Sequence, residues 1–365
     1  MLKGDDLRPQ LSRRVRLVLL TVFLFISYVS MILMALRPFP SSRAGHFSQL
    51  ASRITPYKER ARGLRGVLVP AQAAISSPAV ALFIGIHSPA HMQDRRDAAR
   101  KGYNDVLASG VLHRQDIVVI RHVLCRDGET ATQLAEEQKT HGDLLILNCT
   151  AGDDSMKTWH YFQHISQVIK VADHVNHSGS ADLEFDFVMK LSHDAYQHLP
   201  MTLSWLRPYV GVPRLYAGRL AQHNETLVYQ TGDGYVLSKD LCLWWSANNT
   251  YSDPSAGFED VNMRLWLDLL NQKREPIALL DGGWRFYPLD KRIFCQMASP
   301  EKLRDPQYLK SKKGRETVHK LLTLDDLQVH HLKTPESFDV VARTFLEKML
   351  APPKEAMEDQ RHACE

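Results

Sequence analysis

Twenty consecutive residues without a charge, Leu17 to Leu36, constrain this chain more than any other feature. As a helix rising about 1.5 Å per residue, the run spans roughly 30 Å, the thickness of a bilayer core. Lys3, Arg8, Arg13, Arg14 and Arg16 precede it, against only Asp5 and Asp6. Positive flanks stay cytosolic. Residues 1–16 therefore read as a cytosolic tail, 17–36 as a single transmembrane signal anchor, and the remainder as luminal. A cleaved signal peptide fits less well, because its apolar region is shorter and needs small residues before the cut. Here the run ends Ile-Leu-Met-Ala-Leu before Arg37-Pro38. Glycan-acceptor tripeptides at Asn148, Asn176, Asn224 and Asn248 agree with a luminal placement. An oxidising lumen permits disulfides among Cys125, Cys149, Cys242 and Cys295, with Cys364 in the tail, and spacing leaves the pairing open.

Composition narrows the rest. The chain has 365 residues, 44% hydrophobic and 24% charged, which excludes a mainly disordered chain and a many-span membrane protein. Its net charge of +4, with 45 basic residues against 41 acidic ones, is too balanced to suggest nucleic-acid binding. Residues 37–77 carry Pro, Ser and Arg without a sustained apolar period and read as a stem. Beyond them, apolar runs at 79–86, 116–120, 143–147 and 185–191 read as buried strands. Helical stretches alternate with these runs, over 130–139 and along the spacing of Trp159, Phe162, Ile165 and Ile169. Such alternation predicts an α/β domain with a largely parallel sheet.

Five segments and a late histidine pair carry candidate chemistry. Arg95, Arg96 and Arg100 follow the first strand, and arginines on one helix face can fork onto phosphate oxygens. Gly142-Asp143 is followed by the Asp153–Thr158 turn, where Asp154 or Ser155 suits an N-cap and Lys157 adds positive charge. The strand ending Lys190-Leu191 runs into Ser192-His193-Asp194, at the strand end where α/β sheets bind ligands. Asp194 offers a carboxylate to a hard cation, and His193 a nitrogen to a softer one. Gly232-Asp233-Gly234-Tyr235-Val236-Leu237-Ser238 reads as a glycine turn or a close backbone approach to a ligand. Glu259 and Asp260 open a helix, where the helix dipole stabilises them or one serves as a general base. His330-His331 comes seventy residues later, placed to close a site begun upstream. Trp244, Trp245 and Trp266 read as core.

In this order the segments resemble glycosyltransferase family 31, the β1,3-galactosyl- and β1,3-N-acetylglucosaminyltransferase group that contains the Fringe enzymes. The stretches Asp143–Thr150, Lys157–Phe162 and Val329–Lys333 look like its fungal-type branch. The resemblance spans about residues 80–340. It implies a GT-A fold over 78–350, a Rossmann-like α/β domain with a mostly parallel sheet flanked by helices, ahead of a polar tail at 351–365. It further implies an inverting hexosyltransferase that moves galactose or N-acetylglucosamine from a UDP-sugar to a hydroxyl of a glycan acceptor, in a β1,3 linkage. Such an enzyme is a single-pass type II Golgi membrane protein, and enzymes of this kind are often homodimers. Carried onto this sequence, Asp260 is the catalytic base, and Asp194 and His330 are ligands for Mn²⁺ or another divalent cation. Arg95, Arg96, Arg100, Lys157, Lys190 and His193 lie near the nucleotide, Gly234 lines the sugar pocket, and Glu259 lies beside the acceptor. Where the family has Asp-Asp-Asp, this chain has Ser192-His193-Asp194, so only the last acid remains. The competing expectation is a relative without turnover, acting as a luminal chaperone or as a binder of glycans or nucleotide-sugars.

Overall fold

The structure is a computed structural model that describes residues 78–126, 130–150, 152–176, 185–223, 227–247, 257–271, 275–289 and 305–351. The expected anchor, the stem, Cys295, Cys364, Asn224, Asn248 and all but the first residue of the polar tail lie outside the described residues. Among the described residues no helix is long and apolar enough to cross a membrane.

Strand and helix alternate through the first half: β1 (Ala81–His87), α1 (Gln93–Ala108), β2 (Ile117–Cys125), α2 (Ala131–His141), β3 (Leu144–Leu147), α3 (Asp154–Asn176) and β4 (Phe187–Ser192). There follow β5 (Tyr196–Gln197), α4 (Leu199–Leu206), β6 (Leu215–His223), β7 (Leu227–Ser238), α5 (Lys239–Leu243) and α6 (Glu259–Leu270). The last elements are β8 (Ala278–Asp281), β9 (Phe286–Pro288), α7 (Pro306–Lys310), α8 (Lys312–Leu321), β10 (Gln328–His330) and α9 (Pro335–Leu350).

A seven-stranded sheet runs in the order β3-β2-β1-β4-β7-β6-β8, and a small sheet in the order β5-β10-β9. In the large sheet only β7 runs against its neighbours. The α/β reading and the mostly parallel sheet hold. β1 is buried along its whole length. Leu82, Ile84 and Ile86 join one apolar cluster, while Ala81 and Phe83 join the cluster on the opposite face. A strand buried on both faces reads as an unbroken apolar run, which is why β1 was legible. Trp159, Trp245 and Trp266 are core residues, with Trp159 edge-on to Trp266 at a centroid distance of 5.3 Å.

Chain order places the ligand crevice. β2 and β3 build outward from one side of β1, while β4 joins the other side. Open α/β sheets bind ligands beyond the carboxyl ends of strands at such a reversal. Those ends here are His87 and Ser192, which are register partners.

Three expectations are corrected. Residues 232–238 form strand rather than a turn, because they belong to β7 between β4 and β6. Asp153, not Asp154 or Ser155, caps α3, its Oδ1 accepting from Met156 N at 2.8 Å. Arg96 and Arg100 do not face a nucleotide. Arg96 is 2% exposed and donates to both Glu137 carboxylate oxygens, at 2.8 and 2.6 Å. It also reaches the Pro89 and Ala90 carbonyls. Arg100 forks onto Asp143 and reaches Glu137. These two cations pin α1 to α2 and to the head of β3. The disulfide Cys125–Cys149 closes the neighbouring edge, joining the end of β2 to the loop after β3, while Cys242 is buried and unbonded.

Removing Arg96 leaves buried Glu137 with Arg100 at Oε1 alone and takes the partner from its Oε2, so much of a buried charge loses its compensation. Arg96→Met is therefore expected to cost about 3–5 kcal/mol of stability, measured by denaturant unfolding. A loss below about 1 kcal/mol, the range of surface ion pairs, would contradict the structural role.

Candidate functional site

The crevice end of β4 turns at once into Asp194, whose side chain is 5% exposed. Asp194 Oδ1 accepts from Ser192 Oγ at 2.6 Å and lies 2.9 Å from His330 Nε2. Its Oδ2 accepts from the Lys333 ammonium. Burial disfavours charge on Asp194, but the hydrogen bonds and charges of His330 and Lys333, with the Ser192 hydroxyl, overcome it and hold the carboxyl well below its usual range. The small sheet makes this meeting possible: β10 pairs with β5 just after Asp194, which carries His330 back across 136 residues. Leu332 N then donates to the Asp194 carbonyl at 2.9 Å, and Arg95 donates to the Lys333 carbonyl.

His193 is lowered to about 4, chiefly by burial and further by Arg95, Lys333 and Lys157, so its ring is neutral near neutral pH. His87 is pushed down by burial, then by Lys190 and Lys157. Both of its ring nitrogens are buried without a hydrogen-bond partner. Arg95, Lys157, Lys190 and Lys333 thus gather round the ends of β1 and β4.

A second cluster lies along the same strands. Lys190 Nζ donates to the Gly232 carbonyl at 2.6 Å and to Glu259 Oε2 at 2.9 Å. Glu259 Oε1 accepts from Thr158 Oγ1 and Tyr235 OH, at 2.9 and 2.6 Å. Glu259, expected beside the acceptor, has both carboxylate oxygens taken by protein donors, holding Lys190 at the start of α6. Asp260 comes next. Its Oδ2 accepts from Gly232 N at 3.0 Å and its Oδ1 from Val261 N at 2.9 Å. Burial, then the Glu259 charge, raises its pKa above the ordinary aspartate value. Such a carboxylate binds a proton more readily than a free aspartate, as a general base must.

Gly234 lies against the amide of Gln328, and a Cβ there would stand 2.3 Å from Gln328 Oε1. Gln328 is fully buried, and neither Oε1 nor Nε2 has a partner. Glycine at 234 thus permits a close approach within a strand rather than a turn.

Asp194 Oδ1 and His330 Nε2 are the two expected cation ligands. Neighbouring ligands of an octahedral ion at about 2.1 Å lie about 3 Å apart, so their 2.9 Å spacing suits a shared cation as well as a hydrogen bond. Number and charge do not suit one. Among the described residues no three His, Cys, Asp or Glu side chains converge on a metal-sized space. The single carboxylate is already neutralised by Lys333. As it stands, this donor set does not fit a divalent ion.

Sequence reasoning missed His87, Gln328 and Lys333 as site residues. His87 carries a signal, a polar residue closing an apolar strand. Lys333 and Gln328 lie in a segment whose approach to β4 depends on the small sheet.

No family model matches the chain. Over 204 residues it is 28% identical to "Beta-1,3-galactosyltransferase pvg3" of Schizosaccharomyces pombe, covering 44% of this chain and 53% of that protein. Over 88 residues it is 28% identical to the "Portal protein" of Mycobacterium phage D29, covering 24% of this chain and 17% of that protein. The chain thus spans about half the length of the galactosyltransferase. Among solved structures, a glycosyltransferase involved in glycosylating the major capsid of PBCV-1 aligns at 12% identity and a TM-score of 0.32, over 73% of this chain and all of that one. An overlap that low carries no weight for the fold.

Glu259→Ala is expected to destabilise the domain by about 3–5 kcal/mol, since it strands a buried ammonium. Urea unfolding measures this, and a cost under about 1 kcal/mol would return Glu259 to a binding role.

Proposed function

We propose that the chain is an inverting glycosyltransferase of the family 31 type, transferring galactose or N-acetylglucosamine from a UDP-sugar to a glycan hydroxyl. Asp260 carries this reading: a half-buried carboxylate with a raised pKa, held by two backbone N–H groups beside a cationic crevice. The 28% identity to a β1,3-galactosyltransferase supports the same class and favours galactose and a β1,3 linkage. Asp260 takes the proton of the acceptor hydroxyl. The acceptor oxygen attacks C1 of the sugar from the face opposite the diphosphate. The bond from C1 to the diphosphate oxygen breaks, its electron pair leaves with UDP, and the configuration inverts. Arg95 and Lys157 offer positive charge to the diphosphate. The Cys125–Cys149 bond suits an oxidising lumen. On this reading residues 17–36 anchor the domain in a Golgi membrane, as a type II protein.

A second reading, a luminal binder without turnover, is favoured by the loss of two acids from the Ser192-His193-Asp194 turn. Transfer to a glycan acceptor, assayed with UDP-galactose and UDP-N-acetylglucosamine, decides between them. Asp260→Asn is expected to lower transfer by about 10²- to 10⁴-fold while UDP binding stays within about twofold. Equal activity in that variant would remove Asp260 from the chemistry. The base works only when ionised, so transfer is expected to fall as pH drops through a pKa lying above the ordinary aspartate range. A rate unchanged down to the ordinary aspartate range would count against this assignment.

A further inference from the structure

The family resemblance puts a cation ligand at Asp194, and that is where the charge differs most from the family pattern. Three acids would give this turn a charge of −3. Ser192 and His193 leave −1, and Lys333 brings the local sum to zero. The lysine is held there by more than its own charge. His331, a residue with a side chain, takes a φ of +68°, which turns the chain sharply after β10. Such left-handed residues are costly and collect at functional sites. Leu332, 1% exposed, hooks its N–H onto the Asp194 carbonyl. Arg95 holds the Lys333 carbonyl, and Thr334 then caps α9 with a reciprocal capping box. The segment is fixed on both sides of Lys333, and its side chain is 49% exposed, reaching inward to a carboxylate that is 5% exposed.

An ammonium has three N–H donors. Asp194 Oδ2 takes one, which leaves two for phosphate oxygens. The charges of Arg95 and Lys157 both bear on His193 in this turn, and among the described residues Lys157 pairs at 3.3 Å with Asp154, whose side chain is 73% exposed.

We propose that Lys333 replaces the divalent cation: its ammonium, seated on Asp194, binds the diphosphate of the nucleotide-sugar, so that binding and transfer need no metal. This rests on the UDP-sugar reading above. When the C1–oxygen bond breaks, the electron pair moves onto the diphosphate, and the added negative charge faces Lys333 and Arg95. The acceptor proton goes to Asp260. Asp194 and His330 act as positioning residues for the lysine.

The test is calorimetric titration of UDP into the full-length protein in detergent, once with EDTA and once with excess Mn²⁺. UDP is expected to bind in EDTA within about twofold of its affinity in Mn²⁺. Lys333→Ala is expected to weaken binding in EDTA by tenfold or more, and Lys333→Arg to recover most of that loss, with melting temperatures showing all three folded. Binding that appears only with Mn²⁺ overturns this inference and leaves the UDP-sugar reading intact. Unchanged affinity in folded Lys333→Ala, or equal loss in both variants, also overturns it. No UDP binding under either condition overturns this inference and the UDP-sugar reading together.

Discussion

An ammonium buried in the middle of a seven-stranded sheet must be met by a negative charge, and Glu259 meets Lys190 at 2.9 Å. Much of the site's geometry follows from that pairing. Lys190 sits on β4, the strand that pairs with β1 and β7. Glu259 begins α6, so the ion pair fixes the head of that helix over β7. The next residue, Asp260, is then held by the N–H of Gly232, the residue whose carbonyl accepts from Lys190. Two residues along β4 from Lys190 stands Ser192, which hydrogen-bonds Asp194. One strand therefore carries both halves of the site, and the buried pair sets the spacing between them.

The cost of this arrangement is borne by desolvation. Buried pairs gain little net stability, because taking both ions out of water nearly cancels their attraction. Lys190–Glu259 and Arg96–Glu137 are better understood as devices that select one packing. With Glu137, the cations Arg96 and Arg100 tie α1 to α2, while Arg95, one position earlier, is left facing the crevice. The three arginines at 95, 96 and 100 thus part according to the side of the helix each faces, two onto Glu137 and one onto the Lys333 carbonyl.

What the sequence disclosed follows the range of the forces involved. β1, β3, β4 and α3 were legible because period and apolarity are local. The bounds of β2 were read short, since Arg121 and His122 interrupt its apolar run before the strand ends at Cys125. The glycine segment in β7 was misread as a turn. Its glycines serve close approaches to Gln328 and Glu259, which are distant in sequence. Arg96 and Arg100 were misassigned for a like reason, since Glu137 is about forty residues away and nothing local shows that it is buried. Asp194 and His330 were both legible as chemical candidates, and the structure brings them together. Lys333 was visible in the sequence, but its seat on Asp194 was not.

The small sheet makes the crevice a product of both ends of the domain. Asp194 emerges at the close of the first βα half, yet His330 and Lys333 enter only with β10 and the turn after it. A chain still being made could form β1 to β4 and their helices early, but it would hold an unanswered carboxylate until about residue 333 had left the ribosome. Until then the growing polypeptide has a crevice with one wall missing, and its last side chains arrive only with β10 and the turn that leads into α9.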